Sequence, residues 1–134
     1  MLLKPKYGWS RLEIGNWSDR ISYLDDAAFM LLETIIKSYE EPTIQSVEFD
    51  AEGYEWKLVF DGEKVTVITE KDETEITNLD VSRTDIVKGI ITDIRLDVKD
   101  WVNFVYWDLT EEGQKEREDK LLTLCKQLEN LSKK

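Results

Sequence analysis

Apolar residues in the first half of the chain recur mainly at every second position. In the second half they recur every third or fourth. Tyr54, Trp56, Leu58 and Phe60 alternate with polar Glu55 and Lys57, the pattern of a half-buried strand. Asp61-Gly62 follows, a pair suited to a two-residue hairpin turn. Such a turn sets Leu58 opposite Val65 and Trp56 opposite Val67, gathering large apolar groups on one face. Trp9 to Ile14 and Arg20 to Leu24 form an earlier hairpin around Gly15-Asn16-Trp17-Ser18-Asp19, where Gly and Asn tolerate a positive φ. Ile44 to Phe49 and Thr74 to Leu79 read as further strands, and Asp50-Ala51-Glu52-Gly53 as a turn.

Between the two halves of the sheet pattern, Ala28, Leu31, Leu32, Ile35, Ile36 and Tyr39 make one helical stripe. Asp25 or Asp26 is placed to cap it, and Pro42 to end it. Further on, Ser82 caps a second helix, with Asp85 completing a weak capping box. Val87, Ile90, Ile91, Ile94, Val98, Trp101, Val102 and Val105 hold helical spacing, although Ile94, Leu96 and Val98 also alternate, so a break near residue 96 stays open. Thr110 caps a final helix. Its charged first turns, Glu111 to Lys120, are expected to project into solvent, while Leu121, Leu124, Cys125, Leu128 and Leu131 dock. The predicted order is ββαβββ(β)αα: an α+β fold, with an antiparallel sheet of about five or six strands packed on one face by helices. Without repeats or linkers, residues 1–134 read as a single compact domain.

Composition narrows the chemistry. The 134 residues contain no histidine and one cysteine, Cys125. Ser-His-Asp and Cys-His catalysis therefore have no base, and one chain has too few thiolates for a four-cysteine site. Neither a Walker glycine loop nor G-x-G-x-x-G is present. Cys125, beside Leu121, Leu124 and Leu128, reads as a buried small hydrophobe. No cofactor is implied. No run reaches the roughly 18 apolar residues of a membrane span, and the first residues lack the apolar segment of a signal peptide. A cytoplasmic location, without membrane attachment, is the expectation.

Charge changes the picture most. Eleven of the 29 acidic residues lie between Glu48 and Asp80 against three lysines, so that stretch carries −8 of the net −11. Phosphates would be repelled, which disfavours nucleic acid and points to a basic protein partner. Asp50, Glu52, Glu70, Asp72, Glu73 and Glu75 are the candidate contact residues. Held close together they raise their own electrostatic energy, and a cationic partner relieves it. Trp56 and Trp101 fall on core faces, and Trp9 and Trp17 on the first hairpin. Leu96 and Trp107 share a wet helix face, a second candidate surface through which two copies would form a homodimer.

Two enzymatic readings are weaker. Asp93, Asp97 and Asp100 share a helix flank, three carboxylates of the kind that hold magnesium, but Arg95 and Lys99 beside them make a solvated charged face the simpler account. Asp50 and Glu52 would be a glycosidase pair only within a sugar cleft, which nothing in the sequence suggests.

Three segments carry a resemblance: Tyr7-Gly8-Trp9-Ser10, Asp25-Asp26-Ala27-Ala28, and Phe49-Asp50-Ala51-Glu52-Gly53-Tyr54-Glu55-Trp56. They resemble small uncharacterised bacterial proteins of the immunity-protein type from polymorphic toxin systems. The likeness covers roughly the first half and carries over no functional residues. It implies a non-enzymatic cytosolic antidote that binds a toxin domain, often a basic nuclease, with carboxylates standing in for phosphates.

Overall fold

The computed structural model describes residues 1–106 and 108–133. The architecture is α+β. β1 (Trp9–Ile14) and β2 (Trp17–Ser22) precede α1 (Ala27–Glu40). β3 (Gln45–Asp50), β4 (Glu55–Asp61), β5 (Lys64–Glu70) and β6 (Thr74–Asn78) follow as an antiparallel meander. α2 (Arg83–Leu96), α3 (Val98–Val102) and α4 (Glu111–Ser132) complete the chain.

The expected single sheet is two sheets, a hairpin of β1 and β2 and a four-stranded sheet in the order β3-β4-β5-β6. Side chains bridge them where backbones do not. The Trp56 indole N–H donates to the Arg20 carbonyl oxygen at 2.9 Å, and the Tyr54 hydroxyl donates to Asp19. Alternation gives the four-stranded sheet a buried face bearing Val47, Phe49, Trp56, Leu58, Phe60, Val65 and Val67. α1 covers β3 and β4 with Leu31, Leu32 and Ile35 buried, and α4 packs against α1.

Both hairpin turns differ from expectation, the second by a shift of its two-residue loop and the first by shortening to two residues. Asp61 pairs with Lys64, so the loop is Gly62-Glu63, and Leu58 faces Val67 while Trp56 faces Thr69. Gly62 has φ +59° and takes the first loop position, where a mirror-image turn requires glycine. Glu63 stays in the second position because its carboxylate accepts from the Thr84 hydroxyl (2.6 Å), the Thr84 N–H (3.0 Å) and the Arg83 guanidinium (3.0 Å). Sliding one strand by two residues keeps every side chain on its expected face. The first hairpin repeats the arrangement: Ile14 pairs with Trp17 across Gly15-Asn16, so Trp17, Ser18 and Asp19 belong to β2.

The helix caps divide. Ser82 Oγ accepts from the Asp85 N–H, and Thr110 Oγ1 from the Gly113 N–H, as expected. Asp26 holds the N-cap position of α1, as one of the two expected residues, but neither its side chain nor that of Asp25 makes the capping hydrogen bond. The Asp25 carboxylate accepts from the Asp50 N–H at 2.6 Å, and Asp26 takes the Arg117 guanidinium at 3.1 and 3.0 Å. Arg117 also donates to the Val102 carbonyl (3.1 Å) and lies over the Phe29 ring (4.4 Å). The start of α4 therefore docks through a cation instead of projecting freely. Pro42 ends α1 as expected, with Glu41 already extended. The helical stripe after Ser82 breaks at Asp97 (φ −129°, ψ 40°), where the chain tightens through Asp97 N–H to Ile94 O. The break leaves Leu96 74% exposed while Trp101 and Val102 stay buried. Val105 lies beyond α3.

Candidate functional site

The outer face of the four-stranded sheet carries the charge. Register aligns Asp50, Glu55 and Glu70 in one row across β3, β4 and β5, with Thr74 at the β6 end. The neighbouring row is Glu48, Lys57, Ile68 and Ile76. Asp50 and Glu70 were legible as candidates, and they meet through Glu55, which was not. The turns after β3 and β5 lie at the same end of the sheet, so Glu52, Asp72 and Glu73 join this edge, all exposed. Glu75 departs from the group. It pairs with Thr69 and so sits on the opposite face of β6, also exposed. Leu96 stands apart at the end of α2, and Trp107 lies outside the described residues.

Local chemistry holds this edge in shape. Asp50 Oδ1 accepts from the Glu52 N–H at 2.6 Å, a side-chain turn around Glu52, whose φ is +54°. The Asp50 carboxylate is thus engaged by its own turn, which argues against a glycosidase pair. Tyr54 closes a shallow cleft lined by Asp50, Glu55 and Glu70. The Lys71 ammonium lies 4.3 Å from the Tyr54 ring centroid. Lys57 reaches Glu70 at 3.5 Å and Glu48 at 3.9 Å. Lys57 thus pairs with two of seven carboxylates gathered here, Glu48, Asp50, Glu52, Glu55, Glu70, Asp72 and Glu73, while Lys71 rests on the Tyr54 ring.

The excess appears most directly in the titration of Glu55. The Glu55 carboxyl is pushed above the ordinary carboxylate range, first by its hydrogen bond with Glu48 and then by the negative charge of Glu48, Asp50 and Glu70. A raised folded-state pKa means that ionising Glu55 costs more in the folded protein than in the unfolded chain. The cost is absent below that chain's pKa and appears as pH rises through the folded value. Glu55→Gln should therefore melt no lower than the parent at neutral pH, with a difference in its favour that grows as pH rises through this range. Parallel thermal melts across pH check it; a melting temperature that falls at neutral pH would give Glu55 a structural role.

Other candidates are engaged elsewhere. Asp93 accepts from the Leu2 N–H at 2.8 Å, Asp100 faces Lys4 at 3.8 Å, and Asp97 is the helix break. Among the described residues no group of three or more carboxylate or thiolate side chains is arranged to hold a metal ion. Burial pushes the Cys125 thiol up to about 11, far from a reactive thiolate. Trp56 and Trp101 are fully buried. No helix among the described residues is long and apolar enough to cross a membrane. Comparison with known protein families, curated proteins and solved structures finds no match.

Proposed function

We propose that this protein is a non-enzymatic protein-binding module, an immunity-type inhibitor that works in the cytoplasm. Its acidic sheet edge meets the basic surface of a toxin or nuclease domain. The observation that carries this reading is the excess of carboxylates in the row Asp50, Glu55 and Glu70, with Glu48 beside it and Glu52, Asp72 and Glu73 in the adjoining turns, against the single pairing lysine Lys57. Fixed carboxylates in an array can occupy the positions that phosphates take on a nucleic-acid-binding surface, and they steer a basic partner at long range.

Affinity capture from lysate of the source cell tests it, run at low and at physiological salt. Charges exposed on both partners are screened within about 8 Å at physiological salt, so generic attraction is lost there and a fitted interface persists. One basic protein retained in stoichiometric amount at the higher salt is expected. A heterogeneous, salt-labile set of basic proteins would sink the reading. A second reading, self-association through Leu96, draws on that residue's 74% exposure at the end of α2; a concentration-independent monomeric mass by light scattering would remove it.

A further inference from the structure

β6 is exposed along its whole length and on both faces. It pairs with β5 in regular register over five residues, and among the described residues nothing pairs with its far edge. The direction of its backbone groups follows from one bond. Leu79 N–H donates to the Val65 carbonyl, so the residues in phase with Leu79, namely Thr77 and Glu75, turn their N–H and C=O groups toward β5. Thr74, Ile76 and Asn78 turn theirs outward. The edge has no proline, and its regular pairing leaves no bulge, so of the devices that blunt an edge it keeps only its short length and the charge of Glu75.

The surroundings specify what fits. From Glu70 to Asp80 the chain carries five acidic residues and one lysine, so a second copy of this strand would bring like charge against like. Ile76, 68% exposed, offers an apolar contact on the outer face. On the other face, Glu75 offers a carboxylate. Beside Thr77 opens a cleft of about 510 Å³ between β6 and the tip of the first hairpin, lined by Ile14, Trp17, Leu79 and Asp80. A strand added here would alternate its side chains between these two faces.

We infer that β6 is a strand-addition site for an extended segment of a protein partner, one bearing lysine or arginine at the position opposite Glu75 and an apolar residue beside Ile76. The inference rests on the binding function proposed above and adds the mode of docking. Main-chain hydrogen bonds hold the segment, and the acidic edge selects its charge.

The test uses a capped Lys-Val-Lys-Val-Lys-Val peptide and its fully N-methylated analogue, which has the same charge and no backbone donors. Both are titrated into the full chain at physiological salt while amide exchange is followed by NMR. The parent peptide is expected to slow exchange at Thr74, Ile76 and Asn78, and the analogue to bind at least about tenfold more weakly without that protection. Ile76→Pro should cause the same loss for the parent peptide. Its nitrogen faces outward, so the β5 ladder survives, as continued protection of Glu75 and Thr77 would verify. Equal binding of both peptides overturns the inference and leaves charge-driven binding standing. Failure of both peptides overturns it too, while capture of a native partner still decides the wider function. Concentration-dependent dimerisation that protects the same three amides in the absence of peptide would assign the edge to a second copy and overturn it as well.

Discussion

Trp56→Ala should destabilise the fold by about 3–5 kcal/mol. That is a large share of the roughly 5–15 kcal/mol that holds a domain folded, and the melting temperature should fall by about 10 °C or more. Trp56 is fully buried. Its ring lies 4.9 Å from that of Phe49 and meets Trp17 edge-on at 5.2 Å. Its indole N–H satisfies the Arg20 carbonyl in the other sheet. Truncation would empty a site at the centre of the inner face, remove two aromatic contacts and leave a half-buried carbonyl without its donor. The side chain is also the main tie between two sheets that share no backbone ladder. Urea unfolding followed by circular dichroism measures the effect. A loss below about 1 kcal/mol, no more than an average point substitution costs, would mean that the hairpin is held by other contacts.

The elements were legible wherever a local rule decides them. Alternation from Tyr54 to Phe60, the stripe from Ala28 to Tyr39, the Ser82 and Thr110 caps and the stop before Pro42 each depend on residues close in sequence. The departures all arise from distant partners. Asp25 and Asp26 look like helix caps, yet their carboxylates are claimed by the Asp50 N–H and by Arg117. Arg117 lies in a charged run that reads as solvated, and only the fold brings Asp26 and Phe29 beneath it. The placement of the Asp61–Lys64 turn depends on Glu63 finding Arg83 and Thr84. Sheet continuity is also non-local, since the hairpin and the four-stranded sheet are joined through side chains, Trp56 to the Arg20 carbonyl and Tyr54 to Asp19, and not through a backbone ladder.

The candidate site follows the same division. Linear charge density picks out the right region, and it favours the turn residues Asp50, Glu52, Asp72 and Glu73, where acidic residues sit close in sequence. Glu48 and Glu55 have to be found through strand pairing, because Glu55 stands between Asp50 and Glu70 only when β3, β4 and β5 are aligned. The alternation that sends Glu55 outward was visible; the register that makes it the middle of a row was not. Glu75 shows the converse. Close in sequence to Glu73, it is carried to the other face by the two-residue period of β6.

Charge reversal on the acidic edge tests whether it is a binding surface. Glu55, Glu70, Asp72 and Glu73 are all exposed, and changing them together to lysine moves the net charge from −11 to −3 without touching the core. Close interfacial charge pairs couple by about 1.5 kcal/mol or more each, so losing even two weakens binding about 100-fold. The measurement is a calorimetric titration of the captured basic partner into parent and fourfold variant at physiological salt, with circular dichroism confirming that both are folded. A loss of about 100-fold or more is expected if the edge is the binding surface. An affinity within about threefold of the parent, or less than 1 kcal/mol, would contradict it.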